Sequence, residues 1–211
     1  MTRVFVSKIP EISTDAFECL LQKVSEERQE KINRLKMYDK KCQSLAVELL
    51  LRAVLVSHFY VNECDIMIEK TPEGKPYLKG DRGLFISLSH CDGLVAVAVS
   101  SCEVGVDAER VRDIDSKIAK RFFTELEQEY VFETDDADIN LFFEVWTRKE
   151  AMAKKRGVGL SADKSFCTVK NHKQFKKLVS NGYVVSVCLD EINDDEVSFV
   201  LANNLLEEYI V

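Results

Sequence analysis

Two acidic residues lie two positions apart in a short apolar segment, residues 104–109. Alternate residues of a β-strand point to the same face, so the carboxylates of Asp107 and Glu109 would project together. Oxygen ligands on one face suit a hard divalent cation such as Mg²⁺. A solvated strand edge without function would show the same pattern, so the pair by itself leaves both interpretations open.

A second cluster lies in residues 146–154, the strongest helical segment of the chain. Glu150 and Lys154 are four positions apart and are therefore neighbours on one helical face, with Trp146 one turn earlier. Such a Glu–Lys pair is often only a surface ion pair, and a helical Trp is usually a core residue. We keep the core interpretation for Trp146 and treat Glu150 and Lys154 as candidate site residues because of the motifs that accompany them.

The sequence Ser-Leu-Ser-His places Ser87 and Ser89 on one strand face and His90 at the start of a turn. As a single feature, His90 could equally be a polar turn residue. The segment lacks the Gly-x-Ser-x-Gly elbow of a serine hydrolase, and the cysteine next to His90 points in a divergent direction, which disfavours a Cys-His nucleophile. Lys75, in a Gly-Lys-Pro loop upstream, could hold a phosphate or only keep a turn soluble.

Apolar periodicity and turn residues predict the elements that must position these side chains. Helices are predicted at residues 15–35, 42–59, 116–132 and 140–155, and strands at residues 3–9, 84–89, 94–100, 104–109, 166–169, 183–189 and 197–202. An acidic loop with Asp135 and Asp136 precedes the last helix. Each half combines helices with antiparallel strands, which predicts an α+β architecture of two related subdomains, residues 1–103 and residues 104–211, with a cleft between them.

The composition is that of an ordinary globular protein. Its 211 residues include 29 Lys or Arg and 36 Asp or Glu, a formal charge of −7 at pH 7. This charge disfavours a nucleic-acid partner, and any anionic ligand must be held locally. The longest uninterrupted apolar run, residues 94–99, is far shorter than the roughly 20 residues of a membrane-spanning helix, and no signal segment opens the chain. Seven cysteines form no C-x-x-C pair. We expect a cytoplasmic protein without a membrane partner, a disulfide framework or a zinc site.

Taken together, four motifs at residues 74–76, 87–90, 105–109 and 146–154 resemble the 4′-phosphopantetheinyl transferases of the surfactin-synthetase-activating (Sfp) type. The 43 positions between Asp107 and Glu150 are also typical of that family. The resemblance implies a pseudo-dimer of two similar α+β subdomains, with coenzyme A in the cleft between them. It further implies that a serine hydroxyl of an apo acyl or peptidyl carrier protein attacks the β-phosphorus of coenzyme A. The carrier would take the 4′-phosphopantetheine arm, and adenosine 3′,5′-bisphosphate would leave.

The resemblance also implies roles for the acidic motifs. Asp107, Glu109 and Glu150 would hold Mg²⁺ against the diphosphate. Glu150 would in addition activate the carrier serine, directly or through a water molecule, and Lys154 would contact a phosphate oxygen. Asp107, Glu150 and Lys154 would thus form the catalytic set.

Further residues of the family pattern would bind coenzyme A. His90 would be a second diphosphate contact, while Lys75 and Ser89 would lie at the nucleotide end.

Arg28, Lys31 and Ser44 fall where many family members bind the 3′-phosphate, and all three side chains can donate to phosphate. Gln43 and Val47 depart from the arginine and glycine that are frequent in the family. A solvated helix face is the alternative for Arg28 and Lys31.

Residues 120–125 resemble the segment that meets the carrier protein. Lys120 and Arg121 would steer an acidic carrier helix, with Phe122 or Phe123 as an apolar anchor, although both phenylalanines could instead be core residues. Because two related halves complete the cleft within one chain, we expect a monomer.

Two other functions fit the acidic motifs: a metal-dependent hydrolase of nucleotide diphosphates, and a carrier-binding module without catalysis.

Overall fold

A computed structural model describes residues 1–80, 83–132, 138–162, 164–193 and 196–210. The predicted acidic loop at Asp135 and Asp136 lies outside the described residues. The strands are β1 (Thr2–Lys8), β2 (Ile68–Lys70), β3 (Pro76–Leu78), β4 (Phe85–Cys91), β5 (Leu94–Ser100), β6 (Gly105–Arg110), β7 (Phe175–Ser180), β8 (Tyr183–Cys188) and β9 (Val197–Leu201). The α-helices are α1 (Thr14–Leu21), α2 (Glu26–Asn33), α3 (Tyr38–Phe59), α4 (Lys117–Phe122), α5 (Glu125–Val131), α6 (Ile139–Arg156) and α7 (Asn203–Ile210).

The first layer is a four-stranded sheet with the order β4-β5-β1-β9, covered by α3. Strand β1 runs antiparallel to β5 and parallel to β9. Helix α3 has no Gly or Pro, and its apolar side chains, including the fully buried Leu45 and Leu49, form the main core. It ends at Tyr60, whose φ of 54° is left-handed. The prediction of a helix here is confirmed, although its middle is buried on all sides.

The second layer is a three-stranded antiparallel sheet, β6-β8-β7, with α6 packed against it. The side chain of Asp138 caps the N-terminus of α6, and Gly157, with φ 69°, ends it. At Gly105 the backbones of β6 and α6 approach closely: a Cβ would lie 1.8 Å from the Ala151 carbonyl oxygen. Only glycine permits this approach, which brings the acidic residues of β6 next to those of α6.

By length and composition, α3 is the one helix in the described part of the chain that could cross a membrane. In the fold, 72% of its most apolar window is buried. It also carries the charged residues Glu48 and Arg52 inside the protein. The apolar composition of α3 is therefore explained by its packing into the core. A count of uninterrupted apolar residues does not detect this helix, because charged residues interrupt its apolar stretches.

Several predicted elements differ from the structure. The helix expected at residues 15–35 is two helices, α1 and α2, and the one expected at 116–132 is α4 and α5. Thr124 precedes α5 as its N-cap residue and forms a capping box with Glu127. The strand expected at residues 166–169 is absent: residues 166–167 are irregular, and residues 168–169 form a turn. The short β2–β3 hairpin, strand β7 and helix α7 were not predicted.

The end of the chain returns to the first layer. Strand β9 pairs with β1, and Leu206 of α7 is fully buried in the core that α3 forms. These last two elements therefore pack on the N-terminal layer, although they belong by sequence to the predicted subdomain of residues 104–211. The α+β architecture of two subdomains is confirmed.

Candidate active site

The two subdomains meet where β4 lies beside β6. Ser87 Oγ accepts a hydrogen bond from the Val106 amide at 3.0 Å, and Ser89 Oγ accepts one from the Ala108 amide at 3.1 Å. In this junction the serine hydroxyls thus accept the hydrogen bonds that backbone carbonyls of a neighbouring strand would accept in a regular β-sheet. This junction places β6 at the centre of the molecule.

Asp107 of β6 is buried, with 5% of its surface exposed. Its Oδ1 accepts hydrogen bonds from Lys154 Nζ at 2.7 Å and from Ser89 Oγ at 2.9 Å. Its Oδ2 is buried and has no hydrogen-bond partner within the described residues. Asp107 and Lys154, both predicted site residues, thus form a direct ion pair.

Glu109 is half-buried, two residues further along β6. Its Oε1 accepts from Trp146 Nε1 at 3.3 Å, and its Oε2 accepts from Arg112 Nη1 at 3.2 Å. Burial raises the pKa of Glu109, and the charge of Asp107 raises it further, while Arg112 opposes both effects. Trp146 packs against Phe142 as predicted for a core residue, and its indole also positions Glu109.

Glu150 of α6 is half-buried and makes no hydrogen bond or ion pair with another described residue. Burial raises the pKa of its carboxyl group, and so do the charges of Asp107 and Glu109; Lys154 lowers it. Glu150 therefore shares one electrostatic environment with the two carboxylates of β6. The structure brings these predicted residues together from two distant parts of the chain.

The chemistry of these donors fits a hard divalent cation. A buried carboxylate oxygen without a partner, such as Asp107 Oδ2, is costly unless a cation or water satisfies it. Mg²⁺ prefers such oxygen ligands. No group of three or more His, Cys, Asp or Glu residues in the described ranges is already arranged to hold a metal. The three-carboxylate ligand set therefore stays a prediction.

Two adjoining pockets open beside this cluster. The smaller, about 310 Å³, is lined by Lys75 and Lys154 among others. The larger, about 630 Å³, is lined by Arg28, Lys31 and His90 among others. Both pockets share Gly74, Pro76 and Leu88 as lining residues. Five of the seven predicted coenzyme A residues thus lie along one continuous cleft, and Ser44 and Ser89 line neither pocket.

Lys75 is half-buried in the wall of the smaller pocket. Its ammonium group donates to the Lys155 carbonyl at 2.6 Å and forms an ion pair with Glu103. Lys75 therefore connects the loop between β2 and β3, in the N-terminal subdomain, to α6 of the other subdomain.

The wall of the larger pocket carries several cations. Arg28 forms an ion pair with Glu48 at 3.1 Å. Burial lowers the pKa of Lys31, and so do the charges of Lys70 and Arg28. Lys70, which sequence reasoning missed, pairs with Glu27 at 2.9 Å. A single lysine in a short exposed strand gives no sequence signal of such a role.

Ser44 is buried on α3 and is not among the lining residues of either pocket. Its carbonyl oxygen accepts from Arg28 Nη2 at 2.6 Å, so it orients that guanidinium. The side chain of Gln43 is bound to Asp92 at 3.0 Å. Val47 does line the larger pocket.

His90 is exposed at the wall of the larger pocket. Partial desolvation lowers its pKa to about 4, and nearby cations, Lys154 first and then Arg28, contribute. The free protein therefore carries a neutral imidazole at pH 7.

Ser89 differs from its predicted place at the nucleotide end. Its buried hydroxyl is bound to Asp107, Lys154 and the Ala108 amide. It thus belongs to the acidic cluster.

The predicted carrier-binding segment lies on α4. Lys120 and Arg121 are exposed. Phe122 is half-buried against Trp146, with ring centroids 5.7 Å apart. Phe123 is buried in the core, which excludes it as a surface anchor.

Comparisons with known proteins agree with this arrangement. Residues 11–102 match the family model "4′-phosphopantetheinyl transferase, N-terminal", and residues 103–204 match that of the "4′-phosphopantetheinyl transferase superfamily". The 4′-phosphopantetheinyl transferase gsp of Aneurinibacillus migulanus is 34% identical over 179 residues, 82% of this chain and 74% of the relative. The 4′-phosphopantetheinyl transferase Sfp of Bacillus subtilis (strain 168) is 28% identical over 163 residues, covering 77% and 73%. From these matches, with the motifs folded into one cleft, the chain belongs to the 4′-phosphopantetheinyl transferase superfamily and is an enzyme of the Sfp type.

Proposed function

We propose that this protein transfers the 4′-phosphopantetheine arm of coenzyme A to a serine of an apo acyl or peptidyl carrier protein and releases adenosine 3′,5′-bisphosphate. The proposal rests on the surroundings of Asp107, which differ between its two carboxylate oxygens. One carboxylate oxygen is held by Lys154 and Ser89, and the other is buried without a partner. This acidic cluster lies next to a cleft with cations along its walls, as the transfer of a diphosphate ester requires.

We also propose that Asp107, Glu109 and Glu150 hold Mg²⁺. When bound, the ion would neutralise the charge of the diphosphate and orient it. Lys154 would supply fixed positive charge to the diphosphate, and Lys75 would lie at the nucleotide end, with both side chains in the wall of the smaller pocket. Arg28 and Lys31 suit the 3′-phosphate in the larger pocket.

The raised pKa of Glu150 makes its carboxylate a stronger base than an exposed glutamate. It would accept the proton of the carrier serine as the serine oxygen bonds to the β-phosphorus. The bond from this phosphorus to the bridging oxygen breaks, and its electron pair leaves with adenosine 3′,5′-bisphosphate. Lys154 can stabilise the charge that develops on phosphate oxygens.

The carrier would dock on α4. Lys120 and Arg121 offer exposed positive charge on a chain with a net charge of −7, and Phe122 offers apolar surface beside them. Because such steering acts between exposed charges, carrier binding should weaken as salt increases. We propose a monomer as the active form, since both walls of the cleft come from one chain.

The test is incubation with coenzyme A, Mg²⁺ and apo carrier proteins, read by mass spectrometry of the carrier. We expect the carrier to gain the mass of the phosphopantetheine group, and Asp107→Asn and Glu150→Gln to lower the rate at least about 100-fold. Circular dichroism of both variants controls for folding. No mass gain on several unrelated carriers would overturn the proposal. Consumption of coenzyme A without any carrier would indicate a hydrolase instead, and carrier binding without turnover a non-catalytic module.

A further inference from the structure

The hydroxyl of Ser89 uses all of its hydrogen-bonding capacity. A serine hydroxyl has one hydrogen to donate and two lone pairs to accept with. Ser89 Oγ accepts from the Ala108 amide at 3.1 Å and from Lys154 Nζ at 2.8 Å, and it donates to Asp107 Oδ1 at 2.9 Å. The residue is 5% exposed. Ser89 therefore has no hydrogen-bonding group left for a substrate.

These bonds decide which oxygen of Asp107 remains available. Rotation about χ2 of an aspartate is broad, so a carboxylate without fixed donors can exchange its two oxygens. Here Oδ1 receives both donors, Ser89 and Lys154, while Oδ2 is buried and unpartnered in the described structure. Ser89 is itself held by the amide of β6, the strand that carries Asp107.

We propose that Ser89 is a positioning residue, which holds Asp107 Oδ1 so that Oδ2 remains free to bind the divalent cation. The inference rests on the proposed function, because it needs a metal at Asp107. Hydrogen-bonding partners of metal ligands commonly change metal affinity by about 10- to 100-fold when they are removed. Loss of the Ser89 hydroxyl would leave Asp107 with Lys154 as its only donor, so the carboxylate could rotate until both oxygens face the ammonium group and neither points to the cation.

Ser87 is a matched control within the same strand. It forms the equivalent bond to β6, with the Val106 amide at 3.0 Å, and it is not among the hydrogen-bond partners of Asp107 and Lys154 in the described structure. It is similarly buried, with 3% of its surface exposed. Ser87→Ala therefore removes a bond between the subdomains and leaves the acidic cluster unchanged. Because Ser87 also lines the smaller pocket, the comparison uses metal affinity and not the KM for coenzyme A.

The experiment is titration of Mn²⁺ into wild type, Ser89→Ala, Ser89→Thr and Ser87→Ala, by calorimetry with coenzyme A present and no carrier. Thermal unfolding is measured in parallel. We expect Ser89→Ala to bind Mn²⁺ about 10- to 100-fold more weakly and Ser89→Thr, which keeps the hydroxyl, to retain most of the affinity. Ser87→Ala should lose stability to a similar degree and bind Mn²⁺ like the wild type. If Ser89→Ala does not fold, Ser89→Cys, with a weaker donor of similar size, should show the same loss of affinity.

Equal Mn²⁺ affinity in Ser89→Ala and Ser87→Ala would overturn the inference. That outcome leaves the proposed function standing if the wild type binds Mn²⁺ and modifies the carrier. A wild type without saturable Mn²⁺ binding, or without transfer to a carrier, would instead contradict the proposed function itself.

Discussion

The carboxylate of Glu127 and the ammonium group of Lys149 form an ion pair of 2.9 Å in the interior, with side chains that are 0% and 2% exposed. Lys149 also donates to the Phe166 carbonyl at 2.7 Å. Glu127 accepts from the Thr168 amide at 2.7 Å and caps α5 through Thr124. The pair thus fixes α6 at the residue before Glu150.

Lys149→Met should destabilise the fold by about 3–5 kcal/mol, because it leaves the Glu127 carboxylate buried without its cation. Urea unfolding measures this change. The double variant Lys149→Met with Glu127→Gln also removes the carboxylate charge, so it should recover part of the lost stability. A stability of Lys149→Met within about 1 kcal/mol of wild type would contradict a structural role for this pair.

Gly105→Ala should lower stability by about 3 kcal/mol, the upper end of the cost of overpacking. Its Cβ would lie 1.8 Å from the Ala151 carbonyl oxygen and 2.6 Å from the Lys155 nitrogen, so β6 and α6 must separate. Gly159→Ala is the control for stability, since no atom lies within 4 Å of its added Cβ. Thermal unfolding of both variants checks the difference, and equal melting temperatures would contradict the close approach.

Arg112→Gln should lower the Mg²⁺ concentration needed for half-maximal transfer by about two- to fivefold. The guanidinium group occupies Glu109 Oε2 and competes with a cation there, and the pair is partly exposed, which limits its strength. Arg110→Gln removes the same charge from the residue next to Glu109, which forms no ion pair with that carboxylate, and serves as control. An unchanged or higher Mg²⁺ requirement in Arg112→Gln alone would show that Arg112 does not compete.

Lys70→Gln should weaken the binding of coenzyme A roughly tenfold, with little effect on dephospho-coenzyme A, which lacks the 3′-phosphate. Lys70 lines the larger pocket, and its charge lowers the pKa of Lys31, as expected when cations gather where an anion binds. Lys8→Gln, at an exposed lysine that does not line this pocket, is the control. Equal losses for both ligands in calorimetry would place Lys70 away from the 3′-phosphate.

Binding of coenzyme A without metal should take up protons between about pH 4 and pH 6.5. The pKa of His90 is lowered to about 4 in the free protein by desolvation and neighbouring cations, and a bound diphosphate would raise it. Affinity should therefore increase as the pH falls through this window. Calorimetry in buffers of different ionisation enthalpy measures the uptake, and His90→Gln should reduce it. The same uptake in that variant would assign the protons to other groups.

The site was predictable as a set of residues because its motifs are local. The spacing of Asp107 and Glu109 follows from strand geometry, and that of Glu150 and Lys154 from helix geometry. The contacts that these residues make with other side chains were harder to predict from the sequence. Lys70 contributes through a contact with Glu27, 43 positions earlier in the chain, and nothing in the neighbouring sequence signals it. Arg112 lies only three residues after Glu109, but beyond the end of β6, where strand geometry no longer predicts the direction of its side chain. Ser89 was placed at the nucleotide end because a sequence motif does not show which way a buried hydroxyl points.

The sequence by itself determined the α+β class, the long core helix and the acidic and basic residues of the cleft, because periodicity and motif spacing act over a few residues. Only the tertiary structure decided that β9 and α7 return to the first sheet, since this pairing joins residues almost 200 positions apart. Tertiary structure also decided which oxygen of Asp107 is held and which is left unpaired. That choice depends on three hydrogen bonds between β4, β6 and α6, which form only when both subdomains are packed together.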